Sequence, residues 1–223
     1  MLSPLTFDSK LFGYPVGKVN LEDNVNWEAL FSELEQYQLV YCLSEKALSD
    51  LPKQVMFVDE KLAFEKELNT VSSGAILNIS TFEGDWDPKL EKLSLQSGAF
   101  SRFKLDPRLN KCEFEKLYKT WIQQAFQNRE TLTTSDLEGM VTVSVDSQSA
   151  KIGLIAVDHS SRGQGLGKKL VEAGELYAKQ KGANRMSIST QSANTVACKL
   201  YTSLGYQVQS RMYIYHYWNK DFK

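Results

Sequence analysis

The sequence is poor in the residues that would commit it to several kinds of chemistry. It has 3 cysteines, Cys42, Cys112 and Cys198, an odd number set far apart. They fit neither a disulfide framework nor zinc-ligand spacing, so a reducing cytoplasm is the expected setting and no metal is expected. Histidine is scarcer still, with 2 in the chain. His159 reads as a loop residue and His216 as a strand residue, too few and too separate for a catalytic triad. Neither sign of charge is in excess, since 26 Lys plus Arg stand against 27 Asp plus Glu. That balance removes long-range attraction to nucleic acid or to an anionic membrane. No apolar run is long enough to span a bilayer. Pro4, Asp8 and Lys10 interrupt the start before any long apolar run, so no signal peptide is expected.

What is present points to a folded core. Of the 223 residues, 42% are hydrophobic and 24% charged. That length suits one large or two small domains. The first part has its own rhythm. Residues 12–21 read as an extended segment. Asn24 or Asn26 caps a helix running to Tyr37, with Trp27, Leu30, Phe31 and Leu34 at helical spacing. Residues 39–43 are a buried strand, 47–51 a short helix stopped by Pro52, and 54–57 with 62–68 a pair of strands. The small polar residues Asn69 to Gly74 mark a boundary. It divides an N-terminal α/β half-domain over 1–70 from a larger domain over 75–223.

The larger domain opens with a strand over 75–82 and a helix from Pro88 to Gly98. A loop follows, Ala99 to Lys104, with two aromatics flanking Arg102. Residues 113–128 carry Phe114, Leu117, Tyr118, Trp121, Ile122, Ala125 and Phe126 at i, i+3, i+4 spacing, an amphipathic helix with a core-facing stripe. Leu132, residues 139–145 and residues 152–157 give three strands, with Val141, Val143 and Val145 alternating against Thr142 and Ser144. A helix, a strand, a second helix and two strands complete the order.

The organising stretch is Ile152 to Lys181. An apolar strand runs through Asp158-His159-Ser160-Ser161 into Arg162-Gly163-Gln164-Gly165-Leu166-Gly167, and a helix follows. Glycines there permit positive φ, so successive backbone N–H groups can converge. With the helix dipole behind them they make a cradle for a phosphate or pyrophosphate. A P-loop is excluded, because Lys169 and not Ser or Thr follows Lys168, and Arg162 stands where its first glycine belongs. A dinucleotide fingerprint is excluded by the G-x-G-x-G spacing and by the short tail.

Arg162-x-x-Gly165-x-Gly167 between strand and helix resembles the acyl-CoA loop of the GNAT N-acetyltransferase superfamily. Asn194, Tyr201 seven residues on, and Gly205-Tyr206 resemble its second motif. Within the superfamily the chain is similar to the dTDP-fucosamine acetyltransferases of bacterial surface-polysaccharide synthesis. That likeness rests on Leu11-Phe12-Gly13, on Ser101-Arg102-Phe103 ahead of a helix with Tyr118 and Trp121, and on Thr190-Gln191, Asn194-Thr195, Ala197, Lys199 and Tyr201. The longer loop Asp158 to Arg162 departs from it. The resemblance covers most of the chain.

It implies the GNAT acyltransferase fold: an α/β architecture with a central mixed, mostly antiparallel sheet flanked by helices. The N-terminal part, whose strand–helix–strand order echoes that of the end of the chain, reads as a smaller, degenerate GNAT-like half-domain without the glycine loop. The implied donor is acetyl-CoA and the implied partner a small-molecule amine, foremost the amino group of a nucleotide-linked amino-dideoxy sugar attacking directly in a ternary complex. A homodimer is implied too. The strand over 154–157 would splay from that over 186–190 and take the pantetheine against Ile155 and Val157. A backbone N–H near Ala156 or Val157 would bond the thioester carbonyl. The pyrophosphate would meet Arg162, Gly163, Gln164, Gly165, Leu166, Gly167 and Lys168. Asn194 would serve as helix cap and cofactor contact.

Tyr201 is the implied general acid for the departing thiolate, being protonated at neutral pH. Arg102 and Phe103 are candidates for the nucleotide side, by charge and by stacking. Cys198 shares a helix face with Asn194 and Tyr201, but no histidine is placed to activate it. No carboxylate is marked by spacing as the base. Other readings are a GNAT enzyme for another small amine or for a peptide or protein amine, and a non-catalytic acyl-CoA sensor.

Overall fold

The computed structural model describes residues 2–22, 25–68 and 78–219. The first part holds β1 (Ser3–Pro4), α1 (Thr6–Phe12), β2 (Val16–Asn20), α2 (Trp27–Leu34), β3 (Leu39–Ser44) and β4 (Val55–Glu67). Then come β5 (Ile79–Thr81), α3 (Pro88–Ser97), α4 (Arg102–Leu105), α5 (Lys111–Gln127), β6 (Thr131–Thr134), β7 (Gly139–Asp146) and β8 (Ser149–Val157). A 3-10 turn at His159–Ser161 leads to α6 (Leu166–Gln180), β9 (Arg185–Gln191), α7 (Thr195–Ser203) and β10 (Gln207–Trp218). Among the described residues the strands form one sheet in the order β1-β2-β3-β10-β4-β9-β8-β7-β6-β5. It is mixed and mostly antiparallel; β2 pairs β3 in parallel, and β8 pairs β9 in parallel.

Apolar side chains cover both faces. On one, Leu170, Val171 and Ala178 of α6 pack on Val141, Val143, Ile152 and Ile188 of the sheet. On the other, Leu90 and Leu93 of α3 and Leu117 and Ile122 of α5 pack on Met140, Leu154 and Ala156. Thus β7 buries neighbouring residues on opposite faces, as its period of two requires, whereas Ile152 and Leu154 of β8, two apart, face opposite sides because the β7–β8 register shifts between them. A further cluster joins Leu34 of α2 to Val40, Cys42, Tyr215 and Tyr217.

Several sequence expectations need correction. The extended segment expected from Phe12 starts only at Val16, and Thr6–Phe12 is a helix. Two features favour it: Ser9 Oγ donates to the Leu5 carbonyl at 2.7 Å and accepts from Val16 N at 2.9 Å, and Gly13 ends the helix at φ 84°. That left-handed turn is what glycine provides. No helix forms over 47–51; instead Leu48 N bonds to the Tyr215 hydroxyl at 2.8 Å. The two strands expected at 54–57 and 62–68 are the single 13-residue β4. It pairs with β10 on one side and β9 on the other. Likewise the two strands expected at the end are one, β10, bent by register shifts after Val208 and after Ile214. Residues 99–104 contain the short helix α4, capped by Ser101, whose side chain accepts from Phe103 N.

Other expectations match. Asn26 caps α2, accepting from Ala29 N. Asn110 and Glu113 form a capping box on α5, which buries Phe114, Leu117, Tyr118, Ile122 and Ala125. Asn24, the boundary residues Asn69 to Gly74 and positions 75–77 lie outside the described residues.

Candidate functional site

The backbone ladder between β8 and β9 ends at Ile152 with Ile188. Each strand remains held on its outer side: β8 pairs β7 as far as Val157, and β9 pairs β4 as far as Gln191. The two therefore part while both stay anchored, leaving a gap with fixed walls. A bulge starts the divergence. Between Val141–Ile155 and Val143–Ile152 the register slips by one residue, so Gly153 and Leu154 both face Thr142. Thr142 Oγ1 takes up the displaced donor, accepting from Leu154 N at 2.8 Å. Such a bulge re-aims the strand beyond it, here Ile155 to Val157.

The turn after β8 is tied down before the glycines begin. Asp158 Oδ1 accepts from Ser160 N at 3.2 Å, and Oδ2 meets Lys92 Nζ at 2.7 Å and Gln96 Nε2 at 3.1 Å. Lys92 first, then Ser160 and Gln96, hold this carboxyl far below the usual range. Ser161 Oγ donates to Glu138 at 2.9 Å. Arg162 folds back, its Nε donating to the Val157 carbonyl at 3.1 Å, so its visible work is to shape the loop. Gly163 and Gly165 follow at φ 80° and 75°, exposed, and Gly165 leads into α6 with no side-chain cap. The first N–H groups of a helix have no intrahelical acceptor, and the dipole places positive potential there.

Across the gap, Asn194 caps α7. Its Oδ1 accepts from Ala197 N at 3.3 Å, and its Nδ2 donates to Thr190 Oγ1 at 3.3 Å. Tyr201 lies on the same helix, 3% exposed, its ring edge-on to Phe64 at 5.6 Å. Burial, then the neighbouring Cys198, raise its hydroxyl pKa further above 10, so it remains a proton donor. Cys198 directs its thiol to the Gln191 carbonyl at 3.6 Å, and burial raises that thiol too.

A single cavity of about 1340 Å³ joins these parts. Ile155, Ala156, Val157, Arg162, Gly163, Gly165, Leu166, Gly167, Lys168, Asn194 and Tyr201 all line it, as do Arg102 and Phe103. Gln164 does not; it is exposed on the outside of the turn. Phe103 is 5% exposed and packs edge-on against Tyr41 and Trp121. The Arg102 guanidinium lies over that ring at 4.2 Å and over Tyr41 at 4.8 Å, a cation on two aromatic faces. Tyr41 donates its hydroxyl to Asp8 Oδ2 at 2.8 Å. Lys18 and Lys61 line the same end.

Sequence reasoning missed Asp8, Lys18, Tyr41 and Lys61, which lie far from both motifs and have no local signature. It missed a buried polar cluster behind them as well. His216, 0% exposed, meets Asp106 Oδ2 through Nδ1 at 2.6 Å, and Trp218 Nε1 donates to the same oxygen at 2.9 Å. Burial would raise Asp106, but His216, the Arg108 amide and Trp218 hold it well below the carboxylate range. Burial lowers His216 to about 4 against the pull of Asp106, so the ring is neutral and donates from Nδ1. Its Nε2 has no partner, and nor does the buried Nε of Arg102.

The acetyltransferase (GNAT) family matches residues 94–206, which span β6 to α7 and the whole gap. A dTDP-fucosamine acetyltransferase from Escherichia coli O6:H1 is 25% identical over 225 aligned positions, covering 95% of this chain and 96% of that one. A mycothiol acetyltransferase from Thermobispora bispora is 34% identical over 61 residues, 27% of this chain and 21% of the other. Among solved structures, a GCN5-related N-acetyltransferase from Sphaerobacter thermophilus superposes with a TM-score of 0.58 at 15% identity, covering 96% of this chain and 75% of that one. With the family match extending over half of its residues, the chain belongs to the acetyltransferase (GNAT) family.

Proposed function

We propose that this acetyltransferase takes acetyl-CoA as donor and acetylates the primary amine of a nucleotide-linked amino sugar. The observation that carries the donor half is the meeting of three features in one cavity: parted parallel strands, exposed positive-φ glycines at an uncapped helix start, and a buried tyrosine hydroxyl. They fit an acyl-CoA, whose diphosphate suits the amides from Gly163 to Lys168 and whose pantetheine amides suit unpaired strand edge. Bound there, acetyl-CoA supplies a thioester.

The chain's residues then have separable roles. A backbone N–H near Ala156 or Val157 favours charge developing on a carbonyl oxygen; one such donor is worth roughly 3 kcal/mol in other enzymes. Tyr201 supplies a proton to a departing thiolate. Asn194 fixes the start of α7 and so the position of Tyr201 two turns on. Holding both reactants in one cavity lowers the entropic part of the barrier.

The acceptor half rests on two supports. One is the 25% identity to an enzyme named for dTDP-fucosamine, over nearly the full length of both chains. The other is the charge of the cavity's far end, where Arg102, Lys18 and Lys61 face the space. Cations of that kind suit a nucleotide diphosphate.

The test is an amine panel with acetyl-CoA, read by release of free thiol. Turnover confined to dTDP-linked amino sugars supports the proposal. Turnover with peptides or polyamines and not with nucleotide sugars removes the acceptor half, and binding of acetyl-CoA without thiol release removes turnover altogether.

A further inference from the structure

We infer that Asp59 is the group that takes the proton from the acceptor's ammonium, an inference that rests on the acetyl-transfer reading above. Asp59 sits on β4, two residues before Lys61 and four before Ala63, so the strand period sends all three to one face. Lys61 and Ala63 line the cavity, and so does Ile214, the register partner of Asp59 on β10. Asp59 is 6% exposed, and its Oδ2 is buried with no hydrogen-bond partner. A carboxylate oxygen in that state is costly, and folded chains seldom keep one without a use.

The groups facing it come from every neighbouring element. Arg102 approaches from α4, Lys61 stands on its own strand, and the Gln191 side chain reaches it from the end of β9, where the gap opens. Tyr118 of α5 feels its charge, and the adjacent Glu60 amide donates to it. Burial raises the carboxyl to about 6, against the lowering by Arg102, Gln191 and Lys61. A base is most effective when its pKa lies near the working pH. Asp59 lies beside the lining residues Lys61, Arg102 and Gln191 and not in the lining itself; among the described residues the carboxylates that do line the cavity are Asp8 and Glu130, and both are otherwise engaged. Asp8 accepts the Tyr41 hydroxyl, and Glu130 is bonded by Asn128 beside Tyr177.

The step balances as follows. One ammonium proton passes through a bridging water to Asp59 Oδ2, and the freed lone pair forms the N–C bond to the thioester carbon. The C–S bond breaks with its electron pair on sulfur, which takes the Tyr201 proton. The second nitrogen proton leaves as the amide forms and returns through solvent to Tyr201, while Asp59 releases its own to water. Ammonium and thioester thus give amide, thiol and one proton.

The experiment uses the full chain with dTDP-4-amino-4,6-dideoxygalactose and acetyl-CoA. The wild type should lose kcat as pH falls through about 6, where Asp59 protonates. Asp59→Asn should cut kcat roughly 10²–10⁴-fold at pH 7. Its acetyl-CoA affinity should stay unchanged, the limb near 6 should vanish, and the deficit should shrink toward pH 9 as free amine accumulates. Asp59→Glu should restore part of the rate. A carbon-13 titration of the Asp59 carboxyl reads its pKa without any turnover, and a value below about 4 overturns the inference. An active wild type with an equally active Asp59→Asn overturns the inference alone. A wild type inactive toward every amine overturns the acetyl-transfer reading, and the role of Asp59 with it.

Discussion

Ile152 and Ile188 form the last backbone pair between two parallel strands that part immediately beyond them. Everything the site offers lies past that pair. On the β8 side the chain continues into the glycine turn and α6; on the β9 side it continues into Asn194, α7 and Tyr201. The bulged β7–β8 ladder on one outer side and the unbroken β4–β9 ladder on the other hold the gap open.

Tyr201→Phe is expected to lower kcat by about two orders of magnitude, the scale of a lost general acid. The ring contacts with Phe64 and Tyr206 survive the change, so folding and acetyl-CoA affinity should hold. Because the wild-type hydroxyl pKa is raised, the wild-type rate should not fall between pH 7 and 9. Steady-state kinetics with equilibrium binding of acetyl-CoA decide it; unchanged turnover would remove the assignment.

Gly165→Ala meets no neighbouring atom, so any effect comes from φ 75° alone. A left-handed alanine costs about 1 kcal/mol. Denaturant unfolding should report that loss, and acetyl-CoA should bind several-fold more weakly because the turn relaxes. Equal affinity would show that the turn does not hold the donor.

Arg102→Ala removes a guanidinium seated on Tyr41 and Phe103. Charge-assisted bonds to an anion contribute about 1.5–3 kcal/mol, so KM for a nucleotide sugar should rise about 10-fold or more. Its acetyl-CoA affinity should hold, and inhibition by free dTDP should weaken in parallel. A variant with wild-type KM and dTDP inhibition would sever Arg102 from the acceptor.

Asp59 and His216 act on stability with opposite signs. The Asp59 carboxyl is raised in the folded state to about 6, so from the unfolded value near 4 up to 6 the folded chain binds the extra proton and stability falls as pH rises. His216 is lowered to about 4, so between 4 and about 6.5 the unfolded chain binds the extra proton and stability rises with pH. Asp59→Asn leaves the second effect unopposed. It should be more stable than wild type at pH 7, by on the order of 1–3 kcal/mol, and lose stability more steeply toward pH 4.5. Urea unfolding at several pH values checks both; a destabilised Asp59→Asn with an unchanged acid slope refutes the account.

How far the residues alone carry the reading follows from how local each signal is. The glycine turn, the Asn194 cap and the two-turn spacing to Tyr201 all lie within short windows, and the structure shows that geometry. The amphipathic α5 is equally local, and its stripe is buried where expected. The short α1 escaped because its helix depends on Ser9 bonding across to Val16. Phe103 read as a loop aromatic open to a base, whereas the fold presses it among Tyr41 and Trp121 and leaves Arg102 on its face.

By itself, then, the sequence determined the geometry of the proposed donor side: a strand, a glycine turn and a helix start are contiguous, and contiguous residues need only local dihedrals and caps to take their places. The far end of the cavity was decided by tertiary structure alone. Asp59 and Arg102 are brought together from β4 and α4, and His216 meets Asp106 across 110 residues of chain. Such pairs leave no periodicity to read. They exist because β10 inserts between β3 and β4, carrying a C-terminal strand into the middle of the sheet and closing the pocket from behind.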